Sequence, residues 1–352
     1  MQEPAASGPL PADPSPAGLD LGRLGSHLDL VAPGLVAGPL RGRLLAGGRS
    51  NLTYLVDDGT NRWVVRRPPL GHVLATAHDM AREYRVMSAL RGSPVPVPAT
   101  VLLCTDAAVL GAPFYLMRYV EGTVLREPSD VDDLSGAQLS SLALALVETL
   151  AELHTLTPAA VGLADFGRPD GFNHRQVRRW QRQLESSRCR EIPGIDELYR
   201  RLAVDVPEVA DGGAIVHGDF RLDNAVVGAD AAIRAVLDWE MSTIGDPLGD
   251  LALFLVYAGF AMDVTGGDPR SLASLPGWPP QRELIIRYAE RRSIVVDDLR
   301  WYRAFATFKL AVILEGVHFR YLRGQTVGPG FDRIGDRVEP VVADGIAILG
   351  AT

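Results

Sequence analysis

The residues best suited to chemistry in this chain form one short run, Val216-His217-Gly218-Asp219-Phe220-Arg221-Leu222-Asp223-Asn224. It follows the apolar pair Ile215-Val216, and Leu237-Asp238-Trp239 comes downstream. Phosphoryl transfer to a hydroxyl calls for such a set: an oxygen acceptor near the attacking hydroxyl, and hard oxygen ligands for magnesium beside a triphosphate. Asp219 is the candidate base, and Asn224 and Asp238 are the candidate metal ligands. A loop can turn Asp219 toward substrate while Asn224 faces the metal, because its dihedrals follow no single period. Arg221 offers a fork of donors to a migrating phosphate. A polar turn after a strand would explain His217 to Asp219, but not the whole ordered set.

Other elements must hold these groups in place. Gly47 to Val56 reads as a strand, a small-residue turn and a second strand. In it Gly47 and Gly48 let backbone amides approach phosphate oxygens, while Ser50 and Asn51 add side-chain donors. A Gly-Gly hairpin turn is the plainer alternative. The next strand, from Arg62 to Arg67, is apolar in its centre and is stopped by Pro68-Pro69. A helical stretch is expected from Ala75 to Leu90. Pro113 to Gly122 is β-rich and closed by glycine. Leu139, Leu142, Leu146, Leu150 and Leu153 recur at helical spacing, which predicts a long helix from Ser135 to Thr155. There His154 reads as a cap or packed ring with no catalytic role. The stretch from Arg175 to Arg190 has few apolar anchors and reads as a solvated helix. Asp250 sits in the first turn of a helix expected from Leu251 to Met262, where a carboxylate can bond free amides.

The runs His217-Gly218-Asp219-Phe220-Arg221-Leu222-Asp223-Asn224, Val236-Leu237-Asp238-Trp239-Glu240 and Gly245-Asp246-Pro247-Leu248-Gly249-Asp250-Leu251 resemble the aminoglycoside phosphotransferase superfamily. Within it, the chain is most similar to kinase-like domains that occur alone in actinobacteria or fused to acyl-CoA dehydrogenases. The resemblance runs from about Gly47 to the last helices. It implies an α+β, two-lobed protein-kinase-like fold. A small antiparallel β-sheet lobe (23–121), preceded by a disordered tail (1–22), would bind nucleotide, and a mostly helical lobe (122–352) would hold the catalytic loop. It also implies an ATP- and magnesium-dependent kinase acting on a small-molecule hydroxyl.

In such proteins the strand ending near residue 66 carries a lysine that grips phosphates and pairs with a glutamate on the following helix. Here Lys309 is the only lysine. By register Arg66 takes that slot, with Glu83 as partner. The resemblance further places the adenine edge near Val120 with Met117 against the ring, and makes Asp250 and His217 structural supports of the loop. Glu240 is left open between the metal site and the substrate. The resembling domains suggest a hydroxyacyl metabolite as acceptor. The alternatives are an aminoglycoside or macrolide, or a non-catalytic nucleotide sensor in view of the missing lysine.

Composition agrees with an enzyme of this kind. A chain of 352 residues at 47% hydrophobic content can bury a sizeable core. A net charge of -8 and pI near 5.4 give no sign of a nucleic-acid surface. Cys104 and Cys189 have neither metal nor disulfide spacing, which fits a cytoplasmic protein. Met1 to Asp20 is rich in proline, alanine and glycine without the pattern of a signal peptide, and no transmembrane segment is expected. Oligomeric state leaves no mark in these residues.

Overall fold

The computed structural model describes residues 16–45, 51–70, 79–261, 268, 270–326 and 330–351. The chain divides into two compact units: residues up to Thr123 together with Arg234–Glu240, and Val124–Ile233 together with Met241–Thr352. Arg234–Glu240 therefore belongs to the first unit, although it lies far along the sequence.

The first unit is built on an antiparallel sheet of β1 (Arg41–Leu44), β2 (Leu52–Asp57), β3 (Arg62–Arg67), β4 (Thr100–Cys104) and β5 (Phe114–Arg118), in the order β1-β2-β3-β5-β4. Alternation along each strand sorts side chains onto two faces. Tyr54, Val56, Trp63, Val65, Phe114 and Leu116 share one apolar cluster with Leu24 and Leu28 of helix α1 (Leu21–Val31) and with Leu110 of the short α3 (Ala107–Leu110). The residues between them, Arg66 on β3 and its register partner Tyr115 on β5, point to the opposite face. Helix α2 (Met80–Leu90) packs beside β4 and β5 and buries Met80, Glu83, Val86, Met87 and Leu90.

One expectation is corrected here. The tail was expected to run through residue 22, yet Leu19 is buried, Tyr54 donates its hydroxyl to the Ala17 carbonyl at 2.6 Å, and Asp20 caps α1. Two leucines one helical turn apart are enough to fasten this segment to the sheet. Among the described residues α2 begins at Met80, capped by Asp79; the start expected at Ala75 lies outside the described residues.

The second unit is mostly helical: α4 (Gly136–Thr155), α5 (Phe172–Ser187), α6 (Ile195–Leu202), α7 (Pro247–Gly259), α8 (Gln281–Arg292), α9 (Arg300–Leu322) and α10 (Val338–Gly350). Ser135 and Gln138 form a capping box that starts α4. Helix α9 is the spine, packing on α10, α7 and α5. Helix α5 is anchored by Val177, Trp180 and Leu184, so it is not the solvated helix expected from its charges. Helix α7 starts four residues early, because Asp246 is its N-cap and Pro247 its first residue. Short strands complete the chain: β6 (Thr123–Val124), β7 (Ala214–Val216), β8 (Ala225–Val227), β9 (Ile233–Val236) and β10 (Thr243–Gly245). β7 and β10 pair antiparallel, with Val216 opposite Thr243, immediately before the His217 loop. Among the described residues no helix is long and apolar enough to cross a membrane.

Candidate functional site

In the first unit, the sheet face opposite the apolar cluster gathers a charged knot. Arg66 Nε lies 3.1 Å from Glu83 Oε2, and its Nη2 donates to Asp238 Oδ1 at 2.6 Å, with Glu240 Oε2 3.9 Å away. Tyr115 donates its hydroxyl to Glu83 Oε2 at 2.9 Å. Asn51 Nδ2 donates to Glu83 Oε1 at 3.2 Å and to Glu240 Oε2 at 3.1 Å. Burial opposes the Arg66 cation, but the surrounding Tyr115, Glu83, Asp238 and Glu240 hold its pKa above the ordinary value. Burial pushes the Glu83 carboxyl up while Arg66 pulls against it, and burial followed by the Glu83 charge pushes Tyr115 well up. Asp238 reaches the knot because Val236 donates its amide to the Pro96 carbonyl at 2.8 Å and Trp239 Nε1 donates to the Val236 carbonyl at 3.0 Å. Its backbone is left-handed, φ +63°, which is uncommon for a residue with a side chain and tends to be kept where function needs it.

In the second unit, the loop after β7 is held atom by atom. The amides of His217 and Gly218 donate to Asp250 Oδ2 at 2.6 Å and Oδ1 at 2.9 Å. The Asp219 amide donates to His217 Nδ1 at 3.2 Å. Asn224 Nδ2 donates to the Asp219 carbonyl at 2.9 Å and to Asp219 Oδ2 at 3.3 Å. Lys309 Nζ donates to the Gly218 carbonyl at 2.5 Å. Gly218 must be glycine: its φ is +85°, and a Cβ there would stand 2.7 Å from the Met241 carbonyl oxygen.

Behind the loop, Asp250 also receives His154 Nε2 at 3.4 Å, and His154 Nδ1 meets the Tyr288 hydroxyl at 2.6 Å. Burial lowers the His154 pKa, so the neutral ring carries its proton on Nε2 toward Asp250 and accepts from Tyr288 on Nδ1. Burial would raise Asp250, but His154 and the His217 amide outweigh it and hold the carboxyl below its ordinary value. Burial, then the Asp219 charge, push the Tyr257 hydroxyl far up, so it stays protonated and hydrogen-bonds Asp219.

The candidate residues therefore separate as follows. Asp219, Arg221 and Asn224 stand together in the second unit, whereas Asn51, Arg66, Glu83 and Asp238 stand together in the first. Arg221 pairs with Asp223 and lies with its guanidinium carbon 4.7 Å from the Tyr257 ring centroid. Asn51 spends its amide on two carboxylates and so braces the knot from within. Met117 is buried on β5, and Val120 is half-buried just beyond that strand. Gly47, Gly48 and Ser50 lie outside the described residues. His154 and Lys309 carry supports of the loop that no local pattern announces, 96 and 91 positions from the atoms they bond.

The donor types suit magnesium. Asn224 commits its Nδ2 to Asp219, which leaves the amide oxygen as the end able to meet a cation, and Asp238 offers a carboxylate, both hard oxygen donors. Among the described residues no group of three or more His, Cys, Asp or Glu side chains is arranged to hold a metal unaided.

Residues 41–305 match the profile of the phosphotransferase enzyme family. Acyl-CoA dehydrogenase family member 11 of Gallus gallus is 36% identical over 338 residues, covering 94% of this chain and 43% of the relative. The Homo sapiens protein of the same name is 35% identical over 308 residues, covering 87% and 39%. The chain thus spans well under half the length of the curated relatives it matches. A solved structure from Ralstonia eutropha JMP134, provisionally named an aminoglycoside phosphotransferase, is 32% identical with a TM-score of 0.80, covering 94% of this chain and 98% of that one. A spectinomycin phosphotransferase solved with ADP and spectinomycin, 13% identical with a TM-score of 0.62 and covering 95% and 99%, shares the fold.

Proposed function

The chain belongs to the phosphotransferase enzyme family, and we propose that it moves the γ-phosphoryl group of ATP to a hydroxyl of a small molecule. Asp219 accepts the hydroxyl proton as the acceptor oxygen bonds to phosphorus, and the bond between phosphorus and the β–γ bridging oxygen breaks, with its electron pair leaving on ADP. Magnesium would supply positive charge to a bound triphosphate, and its proposed ligands are Asn224 and Asp238. Arg66 steadies phosphate oxygens. Gly47, Gly48 and Ser50 are assigned to the triphosphate, and Met117 and Val120 to the adenine. Arg221, tied to Asp223, is assigned to the migrating phosphate.

The observation that carries this reading is the anchoring of Asp219: its own amide and carbonyl, and both polar atoms of Gly218 before it, all have partners. A base must be aimed before it is useful, and a fully bonded backbone aims it. The acyl-CoA dehydrogenase names of the curated relatives support a hydroxyacyl metabolite as acceptor, and the name of the Ralstonia structure supports an aminoglycoside as the alternative. One observation favours a second reading, a nucleotide sensor without turnover: Arg66 stands where a lysine would grip phosphate and instead bonds Asp238. Magnesium-dependent ATP turnover separates the two.

The test is Asp219→Ala. We expect transfer to fall by about 10²–10⁴-fold, the usual contribution of a general base, with nucleotide affinity nearly unchanged; equal loss of both would count against the assignment. A panel of hydroxyacyl thioesters, aminoglycosides and macrolides, read by ADP release, identifies the acceptor.

A further inference from the structure

Lys309 is the only lysine in a chain that otherwise draws its cations from arginine. It sits on α9, the spine of the second unit, and its side chain is buried. An ammonium taken out of water normally faces a carboxylate. Here, among the described residues, no carboxylate lies within ion-pair distance of Nζ. The group donates instead to the Gly218 carbonyl at 2.5 Å and stands 5.3 Å from the centroid of the Trp180 ring. Burial pulls the Lys309 pKa down, and the more distant charges of Asp219 and Asp250 work against that pull.

The position of that one bond explains the arrangement. The peptide joining Gly218 to Asp219 has two polar ends: its amide is held by His217 Nδ1 and its carbonyl by Lys309. Asp250 on α7 fixes the Gly218 amide on the other side of the same residue. Glycine at φ +85° has no side chain to resist rotation, so without the ammonium the carbonyl end of that peptide is the unheld one. A peptide that rocks carries the Asp219 Cα–Cβ bond with it. Arginine would bring a wide planar fork where a compact ammonium fits between a carbonyl and an indole.

We propose that Lys309 is a positioning residue for Asp219, its ammonium fixing the plane of the preceding peptide and so the aim of the carboxylate. The proposal rests on the reading of Asp219 as the base. Lys309 itself touches neither nucleotide nor acceptor.

The experiment compares Lys309→Met and Lys309→Arg in the full chain, with magnesium ATP and water as the acceptor. We expect Lys309→Met to lose about 10²-fold in kcat, the cost of small misplacement in an aimed group, with the KM for ATP within about twofold. Lys309→Arg, which keeps the charge, should recover part of the loss. Hydrogen exchange at the Asp219 amide should quicken in Lys309→Met while protection across α4 and α9 stays as in the wild type; this needs no acceptor, and should hydrolysis be too slow to follow it decides the matter. Should the methionine variant not fold, Lys309→Gln is read by the same two measurements. Wild-type kcat with an unaltered Asp219 amide, or parallel loss of kcat and ATP affinity, would overturn the proposal. Asp219→Ala is run alongside: an active Asp219→Ala overturns the base and this proposal with it, whereas an inactive Asp219→Ala beside an unimpaired Lys309→Met overturns this proposal alone.

Discussion

Arg66 Nη2 donates to Asp238 Oδ1 at 2.6 Å while Nε of the same guanidinium faces Glu83. One arginine thus serves the buried glutamate and also covers the carboxylate proposed for magnesium. A metal on Asp238 would compete with that guanidinium for the carboxylate's charge. Arg66→Lys keeps a cation for Glu83 but cannot hold both carboxylates. Removing a competing charge-assisted bond worth about 1.5–3 kcal/mol should tighten Mn²⁺ binding without nucleotide by about tenfold or more. Paramagnetic resonance of bound Mn²⁺ reads this, Asp238→Asn should abolish it, and unchanged affinity in Arg66→Lys would show that the arginine does not compete. Arg66→Met, which strands Glu83, should cost about 3–5 kcal/mol of stability.

The support behind the loop makes stability depend on pH in two windows. His154 has a folded pKa below the ordinary 6.5, so the unfolded chain takes up the proton first. Its contribution is complete above about pH 6.5 and is lost as pH falls from there toward the folded value. Asp250 is held below 3.8, so its contribution is present above that value and is lost only as pH falls through the folded pKa. His154→Gln can still donate to Asp250 and accept from Tyr288 without titrating. The expected result is a melting temperature that drops between about pH 7 and pH 5.5 in the wild type and drops less steeply in His154→Gln. Parallel curves would mean that His154 does not carry this dependence.

Helix α1 fastens to the sheet through Leu24 and Leu28, both buried against the Trp63 face. Leu24→Ala should therefore cost about 2–5 kcal/mol, read from chemical denaturation of the full chain. A change below about 0.5 kcal/mol, typical of surface positions, would show that the segment is not part of the core.

The run proposed as catalytic could be read directly because the chemistry proposed for it is local: the candidate base, the loop glycine and the amide lie within a few positions, and few other uses require them in that order. Arg66 and Glu83 were also within reach. Strand alternation puts Arg66 on the face opposite Trp63, and the helix that follows must cover that face. The anchors of α5 were overlooked because Val177, Trp180 and Leu184 are scattered among arginines and glutamines, and the packed face shows only once α9 lies beside it. Helix α1 was hidden behind a proline-rich leader that dominates the local composition.

The sequence by itself determined the family and the fold class and led to the proposal of Asp219 as proton acceptor, since each rests on residue types at short fixed spacings. Only the tertiary structure decided what holds that residue: Asp250 under two amides, His154 and Tyr288 behind Asp250, and Lys309 on the Gly218 carbonyl. Periodicity reveals which face of an element is apolar. It carries no record of which distant polar atom will complete a buried hydrogen bond, because that pairing is settled by how helices pack across a core.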